Sequence, residues 1–252
     1  MTQESLQLKD KSLLISGADS GIGKAAALLF AKHGANIAII YYSDQKDAED
    51  TQQEIRDLGV RCIIFQGDVN DSEFCQKAVK ETVSEFGKLD ILINNAGTQF
   101  PSDNIEDLEE ENIRTTFNSN IIRMILLTKA AFPYLKQGAS IINTTSATAY
   151  QGHKELLDYS ATKGAIVTFT RSLALQAKEK GIRVNAVAPG PVATPLTAKT
   201  FGDEEEDTSK PPLDRNATSE EIAPSFLFLA TDASCQMTGQ VLHPNGGLIV
   251  NG

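Results

Sequence analysis

The sequence predicts an α/β fold, a doubly wound, seven-stranded parallel sheet with helices on both faces, built by all 252 residues as a single domain. Three observations predict it. Strand-like apolar runs alternate with helical runs along the chain. The second and fourth strand runs are almost unbroken apolar sequence, as expected where both faces of a strand are covered. Gly34, Gly59, Gly87 and Gly181 follow four of the helical runs and make natural stops.

In chain order, the first strand is SLLIS (12–16), followed by a glycine loop and a helix near 22–33. NIAIIYY (36–42) leads to a helix near 44–58, and RCIIFQ (61–66) to a helix near 71–86. DILINN (90–95) precedes one long helix over 108–135, and SIINTT (140–145) precedes another over 156–180. RVNAVA (183–188) is the sixth strand; a helix near 219–231 and QVLH (240–243) complete the set. Residues 195–217 break this rhythm with prolines and little apolar content. A long insertion between the sixth strand and the next helix reads as a lid over a substrate site, and its acidic run Glu204–Asp207 as a solvated face.

Composition narrows the function. A net charge of −10 with no Lys/Arg stripe excludes a duplex nucleic-acid partner. Three scattered cysteines, Cys62, Cys75 and Cys235, fit reduced thiols in a cytoplasmic protein. With His33, His153 and His243 equally scattered, no metal site is expected. The start MTQESLQLKDKS shows no basic region followed by an apolar stretch, so no signal peptide is expected. No apolar run reaches the length of a membrane span, so no membrane association is expected.

Gly17, Gly21 and Gly23 stand between the first strand and the first helix, where a pyrophosphate needs close backbone approach and exposed helical N–H groups. That context points to a dinucleotide. The end of the second strand is where the adenosine ribose is inspected. Tyr41 and Tyr42 stand there with neither a carboxylate for a 2′-hydroxyl nor an arginine for a 2′-phosphate. Asp19 in the loop opposes extra negative charge, so NAD and NADP both stay open.

Tyr159 and Lys163 lie four apart in a helical run, which puts them on one face about 5–6 Å apart at Cβ. One reading is packing with a snorkelling lysine stem; the other is a phenol tuned for proton transfer. A free phenol titrates near 10, and lowering it by about 3 units takes about 4 kcal/mol. An ammonium about 4 Å away at an effective dielectric of about 20 supplies about 4 kcal/mol. Ser146 ends the fifth strand, in the zone where open α/β sheets bind ligands, and its hydroxyl suits a carbonyl oxygen gaining charge. Asn94, Asn95, Ala96 and Gly97 end the fourth strand. Asn120 is a mediocre helix former inside the long helix, which hints at a role.

Together these residues resemble the short-chain dehydrogenase/reductase family. The matching segments are SGADSGIG (16–23), GDV (67–69), NNAG (94–97), Asn120, Ser146, YSATK (159–163) and PGPVAT (189–194), in family order over nearly the whole chain. GADSGIG, LLDYSATKGAI and VAPGPVATPL are similar to a bacterial subgroup described as aldehyde reductases or sugar and polyol dehydrogenases. The resemblance implies a Rossmann fold with Tyr159 as general acid/base and Ser146 polarising the carbonyl. Lys163 would lower the pKa of Tyr159 and bind the nicotinamide ribose, and Asn120 would hold a relay water. For the cofactor, NAD(P)(H), it implies Gly17, Asp19, Ser20, Gly21, Ile22 and Gly23 at the pyrophosphate and adenine ribose, with Tyr42 beside them. Asp68 and Val69 would meet the adenine, Asn95 and Gly97 the ribose, and Val192 and Thr194 the nicotinamide amide. Ser16 stands where threonine is commoner; Ser20 and Tyr42 stand where NADP-using members carry basic residues.

The expected activity is hydride transfer between a nicotinamide and a small aldehyde, ketone or polyol. A non-catalytic nucleotide-binding regulator and a dehydratase or epimerase on the same fold are the alternatives. The family implies a homo-oligomer, most often a tetramer; the apolar helices at 121–135 and 165–175 suit packing between subunits or on their own sheet. The loop 149–158 and the insertion at 195–213 are expected to line the substrate pocket, with His153 either touching substrate or lying on the surface.

Overall fold

The computed structural model of the chain describes residues 6–201 and 211–250. Seven strands form one sheet in the order β3-β2-β1-β4-β5-β6-β7. They are β1 (Ser12–Ser16), β2 (Asn36–Tyr41), β3 (Cys62–Gln66), β4 (Leu89–Asn94), β5 (Leu135–Thr144), β6 (Arg183–Val187) and β7 (Val241–Leu242). Every pairing is parallel. The helices are α1 (Gly21–Lys32), α2 (Gln45–Asp57), α3 (Ser72–Phe86), α4 (Glu110–Phe117), α5 (Arg123–Ala131), α6 (Thr148–Gln151), α7 (Leu157–Ala177), α8 (Pro195–Phe201) and α9 (Ser219–Ala230).

Side chains alternate across each strand, so neighbouring residues feed opposite cores. Ile15, Ile39 and Ile93 face one layer, where Phe30 of α1, Ile55 of α2 and Phe226 of α9 are buried. Leu14, Ile40 and Leu92 face the other, against Val79 of α3, Leu127 of α5 and Leu173 of α7. This double coverage is why β2 carries apolar residues at nearly every position. Local signals set the helix ends. The Asp71 side chain accepts the Glu73 N–H at 2.8 Å ahead of α3, Gly87 closes α3 at φ 82°, and Thr218 with Glu221 forms a capping box on α9.

The expected helix over 108–135 is three segments. A π-helical turn at Asn118–Ile122 separates α4 from α5, and α5 stops at Ala131. Pro133 lacks the N–H that would continue it. The fifth strand accordingly begins earlier than expected: Leu135 pairs with Leu89, the register slips, and Ser140 then pairs with Ile91. Part of the irregular 195–217 segment is the short helix α8, and its return joins the fold where Val192 bridges Ala217. The run Glu204–Asp207 lies outside the described residues. Among the described residues no helix is long and apolar enough to cross a membrane.

The strand order reverses between β1 and β4, with β2 and β3 to one side and β5, β6 and β7 to the other. A crevice opens at the carboxyl ends of the strands at such a switch point. The cleft here has a volume of about 890 Å3 and runs from Tyr42 past Ser16 and Asn95 to Phe201.

Candidate active site

At the switch point the backbone comes closest to itself. The Ser16 hydroxyl ends β1 by accepting the N–H groups of Asn95 (3.2 Å) and Ala96 (3.3 Å), which fastens the β1 and β4 ends together. Gly17 follows at φ +66°, and a Cβ on it would stand 2.9 Å from the Ala96 Cα. A Cβ on Gly23 would overlap the Gly17 carbonyl oxygen. These two glycines let the loop pack on itself. Gly21, at φ +55°, instead borders the cleft. Ser20 enters α1 in an extended conformation without a side-chain cap, and no acidic residue occupies the first turn. The positive end of α1 and its free N–H groups therefore face the cleft, a cradle that fits a pyrophosphate.

Asp19, Ser20, Ile22, Tyr42, Val69, Asn95, Gly97, Val192 and Thr194 line the cleft with Gly17 and Gly21; Gly23 lies beneath the loop. Burial raises the pKa of Asp19; its backbone hydrogen bond opposes the rise, and Asp44 and Asp47 add to it. Asp68 stands beside the lining rather than in it. Its Oδ1 accepts the Asn70 N–H at 2.8 Å and pairs with the Arg123 guanidinium at 2.9 Å. Arg123 itself lines the cleft, its Cζ 5.3 Å from the centre of the exposed Tyr42 ring. Sequence reasoning missed it. The only signal was an arginine at the head of the apolar run IIRMILL, three residues after Asn120.

Ser146, Tyr159 and Lys163 converge on the floor of the same cleft, and Asn120 is buried beneath it. Asn120, in the π-helical turn, is fully engaged: Oδ1 accepts the Thr98 N–H at 2.8 Å, and Nδ2 donates to the Thr98 carbonyl (2.9 Å) and the Thr162 hydroxyl (3.1 Å). It ties the loop after β4 to α7. Gly97 leaves room for this contact, since a Cβ there would stand 3.1 Å from Asn120 Oδ1. Behind it a small cavity of about 10 Å3, bordered by Asn94, Asn120 and Thr144, has the size of a single water site.

Tyr159 opens α7 with its phenol hydrogen-bonded to the Ser146 hydroxyl just beyond β5. Lys163, one turn on, is 3% exposed; its Nζ donates to the Thr144 carbonyl at 3.0 Å and lies 5.2 Å from the Tyr159 ring centre. Burial pushes the phenol up to about 12, against the Ser146 hydrogen bond, and pushes the ammonium down to about 8. The sequence arithmetic, which set a cation against the phenol and omitted desolvation, had the opposite sign for Tyr159. Desolvation outweighs the other influences on the phenol.

Beyond Tyr159 the cleft widens under α6, the loop after it, and α8. Gln99 donates to the Thr200 hydroxyl at 3.0 Å, and the rings of His153 and Phe201 approach to 5.9 Å. His153, one of the residues left open by the sequence, lines the cleft.

Comparison with known proteins identifies the family. Residues 17–249 match the family model described as enoyl-(acyl carrier protein) reductase. The uncharacterized oxidoreductase YhxC of Bacillus subtilis is 50% identical over 248 residues, covering 98% of this chain and 87% of that protein. The chloroplastic NADPH-dependent aldehyde reductase 1 of Arabidopsis thaliana is 47% identical over 258 residues, covering 99% and 90%. A short-chain dehydrogenase from Burkholderia cenocepacia solved in complex with NADP superposes with a TM-score of 0.90 at 30% identity, covering 96% of this chain and 98% of that one. The chain belongs to the short-chain dehydrogenase/reductase family and is an NAD(P)-dependent oxidoreductase.

Proposed function

We propose that the chain reduces a small aldehyde or ketone, or oxidises the matching alcohol or polyol, with Tyr159 as the general acid/base. The observation that carries this reading is the Tyr159 phenol bonded to Ser146, with Lys163 against its ring, on the floor of a cleft of about 890 Å3. A nicotinamide bound there supplies hydride in reduction and accepts it in oxidation. Tyr159 gives its phenolic proton to the substrate oxygen as that oxygen gains charge, and takes it back in the reverse direction. Ser146 donates a hydrogen bond to the same oxygen. Lys163 steadies the phenolate left behind, and Asn120, through Thr98 and Thr162, holds the loop and helix that carry these groups.

The first turn of α1 would hold the pyrophosphate, Val69 the adenine, with Asp68 beside it braced on Arg123, and Val192 and Thr194 the nicotinamide amide. Helix α8 acts as a lid of the single domain, fastened by Gln99 and Thr200. Gln99, Gln151 and His153 give the outer cleft a polar lining that suits hydroxylated substrates. We read the chain as a cytoplasmic homotetramer: its described cysteines are unbridged, and Ile125 of α5 and Leu175 of α7 present exposed apolar faces.

Loss of the near-ultraviolet absorbance of NADH and NADPH against a panel of aldehydes, ketones and diketones tests the activity. Turnover with at least one panel member is expected. Tight coenzyme binding with no turnover against any would favour a nucleotide-binding regulator.

A further inference from the structure

Ser146 is held by one neighbour, and the way it is held decides what its hydroxyl can do. A serine hydroxyl has one hydrogen to donate and two lone pairs to accept with. Both accepting positions of Ser146 Oγ are taken by Thr148, whose backbone N–H donates at 3.2 Å and whose side-chain hydroxyl donates at 3.1 Å. The hydrogen of Ser146 is left to point outward, and it meets the Tyr159 phenol.

The surrounding backbone keeps this arrangement in place. Thr145 and Ala147 donate to the Val187 and Pro189 carbonyls at 2.8 and 2.9 Å, which anchors the strand end to the β6 side. The Ala149 N–H closes a turn onto the Ser146 carbonyl at 3.1 Å, and Gly152 donates to the Thr148 carbonyl at 2.9 Å. Thr148 thus sits on a pinned turn at the cleft wall, with its hydroxyl on Ser146 and not on a backbone carbonyl.

We propose that Thr148 is a positioning residue for the redox reaction, locking Ser146 as a hydrogen-bond donor to the reacting oxygen. This rests on the proposed role of Ser146. An unheld serine is ambivalent: with a lone pair toward an oxygen gaining negative charge it repels, and with its hydrogen there it stabilises. Occupying both lone pairs removes the repulsive orientation before substrate arrives, so no reorientation is needed as charge develops. The Thr148 hydroxyl also polarises the Ser146 O–H, which strengthens the bond that Ser146 donates. Deleting that hydroxyl therefore affects the chemical step more than the binding steps.

The test compares Thr148→Val, which keeps the branched shape and the backbone N–H, with Thr148→Ser, which keeps the hydroxyl. Thr148→Ala serves as a second hydroxyl-free variant should the valine protein fold poorly. Each full-length protein is assayed for carbonyl reduction with NADH or NADPH and for alcohol oxidation across pH, with thermal melting and coenzyme binding as controls. The expected result is a kcat lower by about three- to tenfold in the hydroxyl-free variants, the worth of one hydrogen bond. Coenzyme affinity should stay within about twofold, the serine variant should recover kcat, and the oxidation profile should move to higher pH as the phenol loses an oriented donor. A hydroxyl-free variant with wild-type kcat and pH profile, or failure of serine to rescue, overturns the inference. Ser146→Ala, assayed in parallel, separates the two claims. If it retains full turnover, the role of Ser146 itself is wrong; if it collapses while Thr148→Val does not, only the positioning role fails.

Discussion

The Lys163 ammonium lies 5.2 Å from the centre of the Tyr159 ring and gives its 3.0 Å hydrogen bond to the Thr144 carbonyl. Its hydrogen bond goes to that carbonyl, while the phenol hydroxyl meets Ser146. Both groups are consequently shifted by desolvation, the phenol up to about 12 and the ammonium down to about 8.

That pair sets a pH dependence. On the proposed mechanism, reduction draws on a protonated phenol and a charged lysine. As pH rises through about 8 the phenol stays almost wholly protonated while Lys163 loses its proton, so reduction should slow. Oxidation draws on the phenolate, a small fraction that grows with pH well below about 12, and should gain over the same range. Stability follows from the same shifts. Between about 8 and the ordinary lysine value of 10.5 the unfolded chain holds a proton that the folded chain has released, so stability rises with pH there. Tyr159 works the other way: its contribution is present below the ordinary tyrosine value of 10.0 and is lost as pH rises toward about 12. Rate profiles in both directions and urea denaturation at neutral and alkaline pH check these signs; a reduction rate that stays flat across the alkaline range contradicts them.

The glycine loop gives a contrast between two substitutions. Gly23→Ala places a methyl on the Gly17 carbonyl oxygen, so the loop must open and the cradle is lost. A destabilisation of more than about 2 kcal/mol and failure to bind coenzyme are expected. Gly59→Ala meets nothing within 4 Å and suffers only from its φ of +86°. It should cost about 1 kcal/mol and leave binding intact. Denaturant melts with coenzyme fluorescence titrations compare the two.

Arg123 offers a test at the nucleoside end. Its charge is already paired with Asp68, and it lies over the Tyr42 ring, so it acts mainly as a wall of the slot. Arg123→Ala should weaken NADH and NADPH by a similar factor, about three- to tenfold. Calorimetric titration with both coenzymes checks this. A loss confined to NADPH would mean that the guanidinium reads a 2′-phosphate.

The seven strands were legible because a parallel sheet covered on both faces demands continuous apolar runs, as β2 shows from Ile37 to Tyr41. Candidate residues at strand ends, such as Ser16, Asn95 and Ser146, were legible for the related reason that strand termini mark the ligand side of such a sheet. Three kinds of feature were not. The π-helical turn around Asn120 leaves the hydrophobic period almost unchanged and depends on side-chain bonds to Thr98 and Thr162, distant in sequence. Helices α6 and α8 are too short to show a period. Arg123 and Gln99 gain meaning only from Asp68 and Thr200, partners far away in the sequence.

Tyr159→Phe, which deletes one oxygen from the ring that Lys163 already underlies, tests the central claim most directly when turnover and coenzyme affinity are measured on the same preparation. The account predicts turnover lower by about a thousandfold, within the usual span for a lost general acid, and coenzyme binding within about twofold of the wild type. Near-normal turnover from the phenylalanine protein would contradict it.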